Sequence, residues 1–227
     1  MGAKIGNGNG NGNGRKIMQS LPATDLRRNV LTLAVATEHL PAAAACMRAL
    51  LPPEEYDPEF RGQVLETTYF DTLRFQLRKA RARKKKYLTL RIRCYGGNEH
   101  YALSAKTEEA KFRTPLASKT AEAYVARGFP AEELVSLLPA DVLARLIDLA
   151  DGAPLVPVVT VAARRYAVED DVDRLTLDTN IATSAGKVFP AGVLEHKTTA
   201  PAAAPAAEVL KLGLPPVKLS KFLWATS

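Results

Sequence analysis

Charged residues alternate with apolar ones in several short segments spread along this chain, and that pattern restricts the fold more than any other feature. The segments are Glu66–Asp71, Arg91-Ile92-Arg93, Arg165-Tyr166-Ala167, Arg174-Leu175-Thr176-Leu177-Asp178 and Val193-Leu194-Glu195-His196-Lys197, with Lys106 and Leu219-Ser220-Lys221-Phe222 as further basic points. A β-strand sends successive side chains to opposite faces. Arg91 and Arg93 therefore share a face, as do Arg174, Thr176 and Asp178, and as do Glu195 and Lys197. Strands whose second face is apolar are expected to bury that face, which leaves the charges on the inside of a curved sheet. Cations gathered in an interior require an anion to neutralise them.

The rest of the chain fits one domain. It has 227 residues, 47% of them hydrophobic, which is enough for one sizeable core. Gly and Asn alternate from residue 6 to 14, a composition that buries nothing, so residues 1–26 are expected to be a disordered lead-in to a single domain over 27–227. Strands are expected near 30–35, 64–71, 87–95, 101–106, 155–168, 174–181, 192–198 and 217–223. The basic stretch from Leu73 is expected to run as a strand into a hairpin turn at Lys84–Lys86, with a further turn at Gly96-Gly97-Asn98. Helices are expected at 41–51, 118–127, 131–150 (broken at Pro139) and 208–212, with an Ala/Pro linker at 200–205. This is an α+β chain with mainly antiparallel strands, expected to close as a tunnel-like β-barrel with appended helices.

The formal net charge of +7 favours a polyanionic partner. Residues 74–93 hold ten Lys and Arg and no acid, which suits phosphate contacts, but aromatic residues for base stacking are sparse and nucleic acid is the weaker expectation. Cys46 and Cys94 form neither a metal-ligand pair nor a disulfide framework, and no apolar run reaches membrane-spanning length, so a reduced, cytoplasmic protein without a membrane span is expected. Arg91 and Arg93 suit bidentate grip of phosphate oxygens, against the plain alternative of a solvated strand face. Glu195 with Lys197 is either a site for a divalent ion bridging phosphates or a structural ion pair. His196 falls on the opposite face. Asp178 is placed either to receive an arginine across the sheet or to hold a metal.

In order and spacing these motifs resemble the VTC domain of the triphosphate tunnel metalloenzyme superfamily, which is related to the CYTH proteins. The resemblance spans about residues 28–223 and rests on Tyr69-Phe70-Asp71, Arg91-Ile92-Arg93, Lys106, Pro157 to Ala167, Arg174–Asp178, Val193–Lys197 and Ser220-Lys221-Phe222. It implies a closed antiparallel tunnel around a triphosphate, and synthesis of inorganic polyphosphate from ATP with Mn2+ or Mg2+. Other members hydrolyse triphosphates or cyclise nucleotides. Carried over by position, Arg91, Arg93, Lys106, Arg165 and Lys221 bind phosphates and Glu195 holds the metal, with Arg174 and Lys197 on the wall. Two departures stand out. The first strand, Leu31–Val35, lacks the family's acid-and-lysine pattern, and Ser104 stands where an acid often precedes the lysine. Fewer acids favour a polymerase or a non-catalytic phosphate-binding module over a hydrolase or cyclase.

Overall fold

The structure, a computed structural model, describes residues 24–25, 29–84, 86–96, 100–200 and 204–227. The elements run β1 (Thr24–Asp25), β2 (Asn29–Val35), α1 (Leu40–Leu50), β3 (Gln63–Asp71), α2 (Gln76–Arg83), β4 (Thr89–Tyr95), β5 (His100–Lys106) and β6 (Ala110–Leu116). They continue with α3 (Ser118–Arg127), α4 (Ala140–Ala150), β7 (Val156–Glu169), β8 (Asp173–Thr183), β9 (Gly192–Thr198), α5 (Ala204–Leu210) and α6 (Lys221–Ala225). The strands make one nine-stranded sheet in the order β1-β6-β5-β4-β3-β7-β8-β9-β2, antiparallel throughout. No helix among the described residues is long and apolar enough to cross a membrane.

The sheet curls strongly. β1 and β2 are its two edges, yet only residues 26–28 join them, a span of no more than about 14 Å. Laid flat, the same edges would stand roughly 38 Å apart. No ladder joins β1 to β2 among the described residues, so the closed barrel expected from sequence is an open, curled sheet here. The free edge of β2 is instead used by the C-terminal segment: Ala34 donates to Pro215 at 3.0 Å and Val217 donates to Thr32 at 2.9 Å. β1 lies within the stretch expected to be disordered, pairing Thr24 with Lys111 and Asp25 with Ala110. Residues 1–23 and 26 of that stretch lie outside the described residues, as do Lys85, Gly97, Asn98 and residues 201–203 of the expected linker.

Alternation gives the sheet two different faces. The convex face is apolar and covered by helices. Phe70, Leu90, Ile92 and Leu103 pack under α3 and α4, and Leu33, Val35, Leu175, Leu177 and Leu194 pack under α1 and α5. The concave face carries the charges, and one end of it is filled by Phe222 of α6 against Tyr69, Val159, Val161, Ile181 and Val193.

Two expected strands are helices. The segment after Leu73 forms α2, because Asp71 at the end of β3 caps it. One carboxylate oxygen accepts from the Thr72 and Leu77 amides at 2.7 and 2.9 Å, the other from the Arg78 amide at 2.8 Å. Those first-turn N–H groups have no partner inside the helix. Lys84 and Lys86, both at positive φ, then turn the chain into β4. The closing segment forms α6 from Lys221, with the Ser220 hydroxyl accepting from the Leu223 amide at 3.4 Å. The expected 131–150 helix is interrupted where Pro139 sits, leaving a short 3-10 turn before α4.

Candidate functional site

Strand register assembles the site. On the concave face Arg91 aligns with Ser104 and then Arg113, while Lys106 aligns with Lys111. On the other half Arg165 faces Asp178, Arg174 faces Lys197, and Thr176 faces Glu195, which faces Thr32. Across a flat sheet β6 and β9 would be roughly 29 Å apart. Here Lys111 of β6 feels the charge of Lys197 on β9, and Lys106 of β5 feels Glu195 and Lys197. Curling therefore brings the two halves into one basic cavity.

All eight positions expected from sequence reach this face, though Lys221 does so from a helix. Asp178 is the hub. It accepts Nε and Nη2 of Arg165 at 2.6 and 2.7 Å and Nζ of Lys221 at 2.5 Å, with only 4% of its side chain exposed. Burial alone would raise its pKa, but Arg165 and Lys221 override burial and hold it well below the usual carboxylate range. The reading of Asp178 as an arginine acceptor is thus the one realised. Glu195 pairs with Lys197 at 2.5 Å; burial opposes its ionisation, but Lys197, Arg165 and Lys221 bring its pKa down to about 2. Arg174 is held by Glu54 and, at 3.5 Å, by Glu169.

The remaining cations are not matched by acids. Arg93, 8% exposed, donates Nε to Thr67 Oγ1 at 3.0 Å and has no carboxylate partner printed by the geometry. Burial, then Arg91 and Arg165, push its pKa down. Lys106 and Lys197 are pushed down as well, in each case chiefly by burial. Nearby, Arg164 points the other way and donates to the carbonyls of Arg61 and Gly62, so Arg164 and Arg165 do divide between the two faces. His196 is on the convex side, 2.8 Å from Asp173.

Sequence reasoning missed β6 and with it Lys111 and Arg113. Burial, then Arg91 and Arg93, bring Lys111 down to about 6; burial, Arg93 and Arg91 bring Arg113 down to about 10. The signal was present: Lys111-Phe112-Arg113 repeats the alternation of Arg91-Ile92-Arg93. Glu54 was missed too, since it arrives from the loop after α1.

Chemically, this face can bind a chain of anions. It presents Arg91, Arg93, Lys106, Lys111, Arg113, Arg165, Arg174, Lys197 and Lys221 against Asp178, Glu195 and Glu54. No group of three or more His, Cys, Asp or Glu side chains is gathered for a metal among the described residues.

The sequence pattern of the VTC domain matches residues 27–226. No curated protein matches the chain. Solved structures share its fold. A candidate adenylyl cyclase from Hippeastrum, described as having a dominant triphosphatase activity, is 18% identical with a TM-score of 0.52, over 86% of this chain and 93% of that one. A candidate adenylate cyclase from Vibrio parahaemolyticus is 10% identical with a TM-score of 0.52, over 86% of this chain and 97% of that one.

Proposed function

The chain belongs to the VTC domain family, and we propose that its concave face binds a triphosphate or polyphosphate chain and transfers phosphoryl groups, building inorganic polyphosphate from ATP. The observation that carries this reading is the surplus of cations over carboxylates on one buried face, with Arg93 at its centre. Arg91, Arg93, Lys106, Arg165 and Lys221 grip phosphate oxygens, and Arg174 and Lys197 complete the wall. Phosphoryl transfer asks the protein for in-line positioning and charge neutralisation. The acceptor oxygen of a phosphate chain is already ionised, so no general base is required, which suits a face with so few acids.

A divalent metal, Mn2+ or Mg2+, fits one way. Asp178 is occupied by Arg165 and Lys221, so Glu195 is the carboxylate left to hold it. Magnesium is commonly bound by one or two carboxylates plus substrate phosphates and water, so an ion at Glu195 takes its other ligands from the substrate. When bound there it supplies charge neutralisation between phosphates.

One observation favours a second reading, a module that binds phosphate chains without turnover. Thr32 and Ser104 place no acid on the concave face, and Lys197 engages Glu195. Incubation with ATP and Mn2+, following polyphosphate and free phosphate beside Glu195→Gln, separates the readings. Long-chain product lost in the variant is the expected result. Free phosphate alone makes the protein a triphosphatase. Thermal protection by tripolyphosphate without turnover supports the binding module, and neither turnover nor protection overturns the proposal.

A further inference from the structure

At the other end of β7 from α6, the concave face holds a group of donors that the triphosphate site does not use. The Nε of Arg113, the Nε of Arg174 and the hydroxyl of Tyr95 are buried and make no hydrogen bond among the described residues. The Arg113 guanidinium lies over the Tyr95 ring at 5.0 Å, and Arg93 lies 5.8 Å from the same ring. Guanidinium groups only donate, and a phenol hydroxyl turns to donate where an acceptor is offered. Buried donors in native proteins are nearly always satisfied, so this group calls for an acceptor, and the charge around it calls for an anion.

Glu54 already supplies one anion there. Its carboxylate takes Nη2 of Arg174 and feels Arg165 and Arg113. The loop that carries it is firmly built. Glu54 donates its amide to Ala167 at 3.2 Å, and Glu169 donates to Pro52 at 3.0 Å. Asp57 accepts from the Arg61 and Gly62 amides at 2.8 and 2.7 Å. Gly62 is required at the loop's end, where φ is +79° and a Cβ would come within 2.8 Å of the Tyr166 ring. Arg174 is thereby turned toward Glu54 and Glu169, away from Asp178 and Glu195.

We infer that Arg113, Tyr95 and Arg174 form a second phosphate subsite, taking the part of a phosphate chain that extends beyond a triphosphate, and that Glu54 is its built-in competing anion. The inference rests on the reading of this face as a phosphate-chain site. An incoming phosphate displaces the Glu54 carboxylate from Arg174 and accepts from Arg113 and Tyr95. A triphosphate held at Arg91, Arg93, Arg165 and Lys221 does not reach them.

Titration calorimetry with tripolyphosphate and with long-chain polyphosphate, on the full chain and on Tyr95→Phe, Arg113→Met and Glu54→Gln, tests this. Long-chain affinity is expected to fall about tenfold in R113M and about threefold in Y95F, and to rise severalfold in E54Q. Tripolyphosphate affinity is expected to stay within about twofold in all three. Equal losses for both ligands would merge these donors into the triphosphate site and overturn the second subsite. Unchanged long-chain affinity in Y95F and R113M would do the same, and E54Q without a gain would remove Glu54 as competitor. Y95F deletes a single atom, so its result does not depend on a damaged fold. Wild-type protein that binds neither ligand overturns the proposed function itself, a result distinct from the others.

Discussion

Two charged clusters sit back to back on β8 and β9, and they are built on different terms. On the convex face one imidazole meets one carboxylate, His196 and Asp173, sealed beneath the apolar cluster of Leu175, Leu177 and Leu194. On the concave face one carboxylate, Asp178, holds two cations, and unmatched arginines and lysines surround the three. The convex pair is complete within the protein. The concave cluster is complete only when an anion from outside joins it. Neighbouring residues of a strand, such as Glu195 and His196, thus belong to a site and to a core respectively.

The sharpest way to break this contrast is to remove one carboxylate from each face. Asp178→Asn leaves Arg165 and Lys221 buried without a counter-charge and is expected to cost about 3–5 kcal/mol in urea unfolding. Asp173→Asn, which keeps a polar partner for His196, is expected to cost about 1–3 kcal/mol. Tripolyphosphate should restore part of the first loss and none of the second. Equal rescue of both variants, or of neither, would dissolve the distinction between the faces.

Much of that distinction was legible in the sequence, because strand alternation is a local property. Arg91-Ile92-Arg93 and Glu195-His196-Lys197 fixed which side chains share a face, and His196 went to the opposite one as expected. The parts that were not legible depend on partners distant in the chain. α2 is a run of basic residues whose helical start is capped from β3 by Asp71. Glu54 follows two prolines in a loop, and nothing near it announces Arg174, which is 120 residues away. α6 has five residues, too few to show a helical period, and its Leu-Ser-Lys-Phe lead-in alternates as a strand would. Open or closed was beyond the pattern as well, since residues 215–217 take the β2 edge that a closing strand would need.

A second variant sharpens the comparison by separating stability from binding. Arg93 is buried, bonded to Thr67 and crowded by Arg91 and Arg165. Replacing it with methionine removes a repelled charge while keeping apolar volume, so the fold is expected to be as stable as wild type or slightly more so. Tripolyphosphate affinity is expected to drop by about 10- to 100-fold, roughly 1.4–3 kcal/mol. A destabilised protein with intact affinity would mean that Arg93 serves the core, as His196 does.

The smallest effect, under about tenfold per pH unit, concerns Lys111, whose pKa falls from 10.5 to about 6 through burial and then through Arg91, Arg93 and Lys197. At pH 8 the free protein therefore holds this amine largely neutral. A bound phosphate chain offsets the neighbouring positive charges and favours the ammonium. Binding at pH 8 should take up close to one proton at this position, and affinity should rise as pH falls toward 6 and level off below it. For stability the sign is the reverse. The unfolded chain binds the Lys111 proton between about 6 and 10.5 while the folded chain does not, so this residue's contribution to stability declines as pH drops through that window. Calorimetry in buffers of different ionisation heat measures the uptake, and Lys111→Met should abolish it. Uptake that survives in K111M would assign the proton to the ligand and leave Lys111 outside the site. Uptake that disappears would place β6, the strand hidden from sequence analysis, on the binding wall beside Arg91 and Arg93.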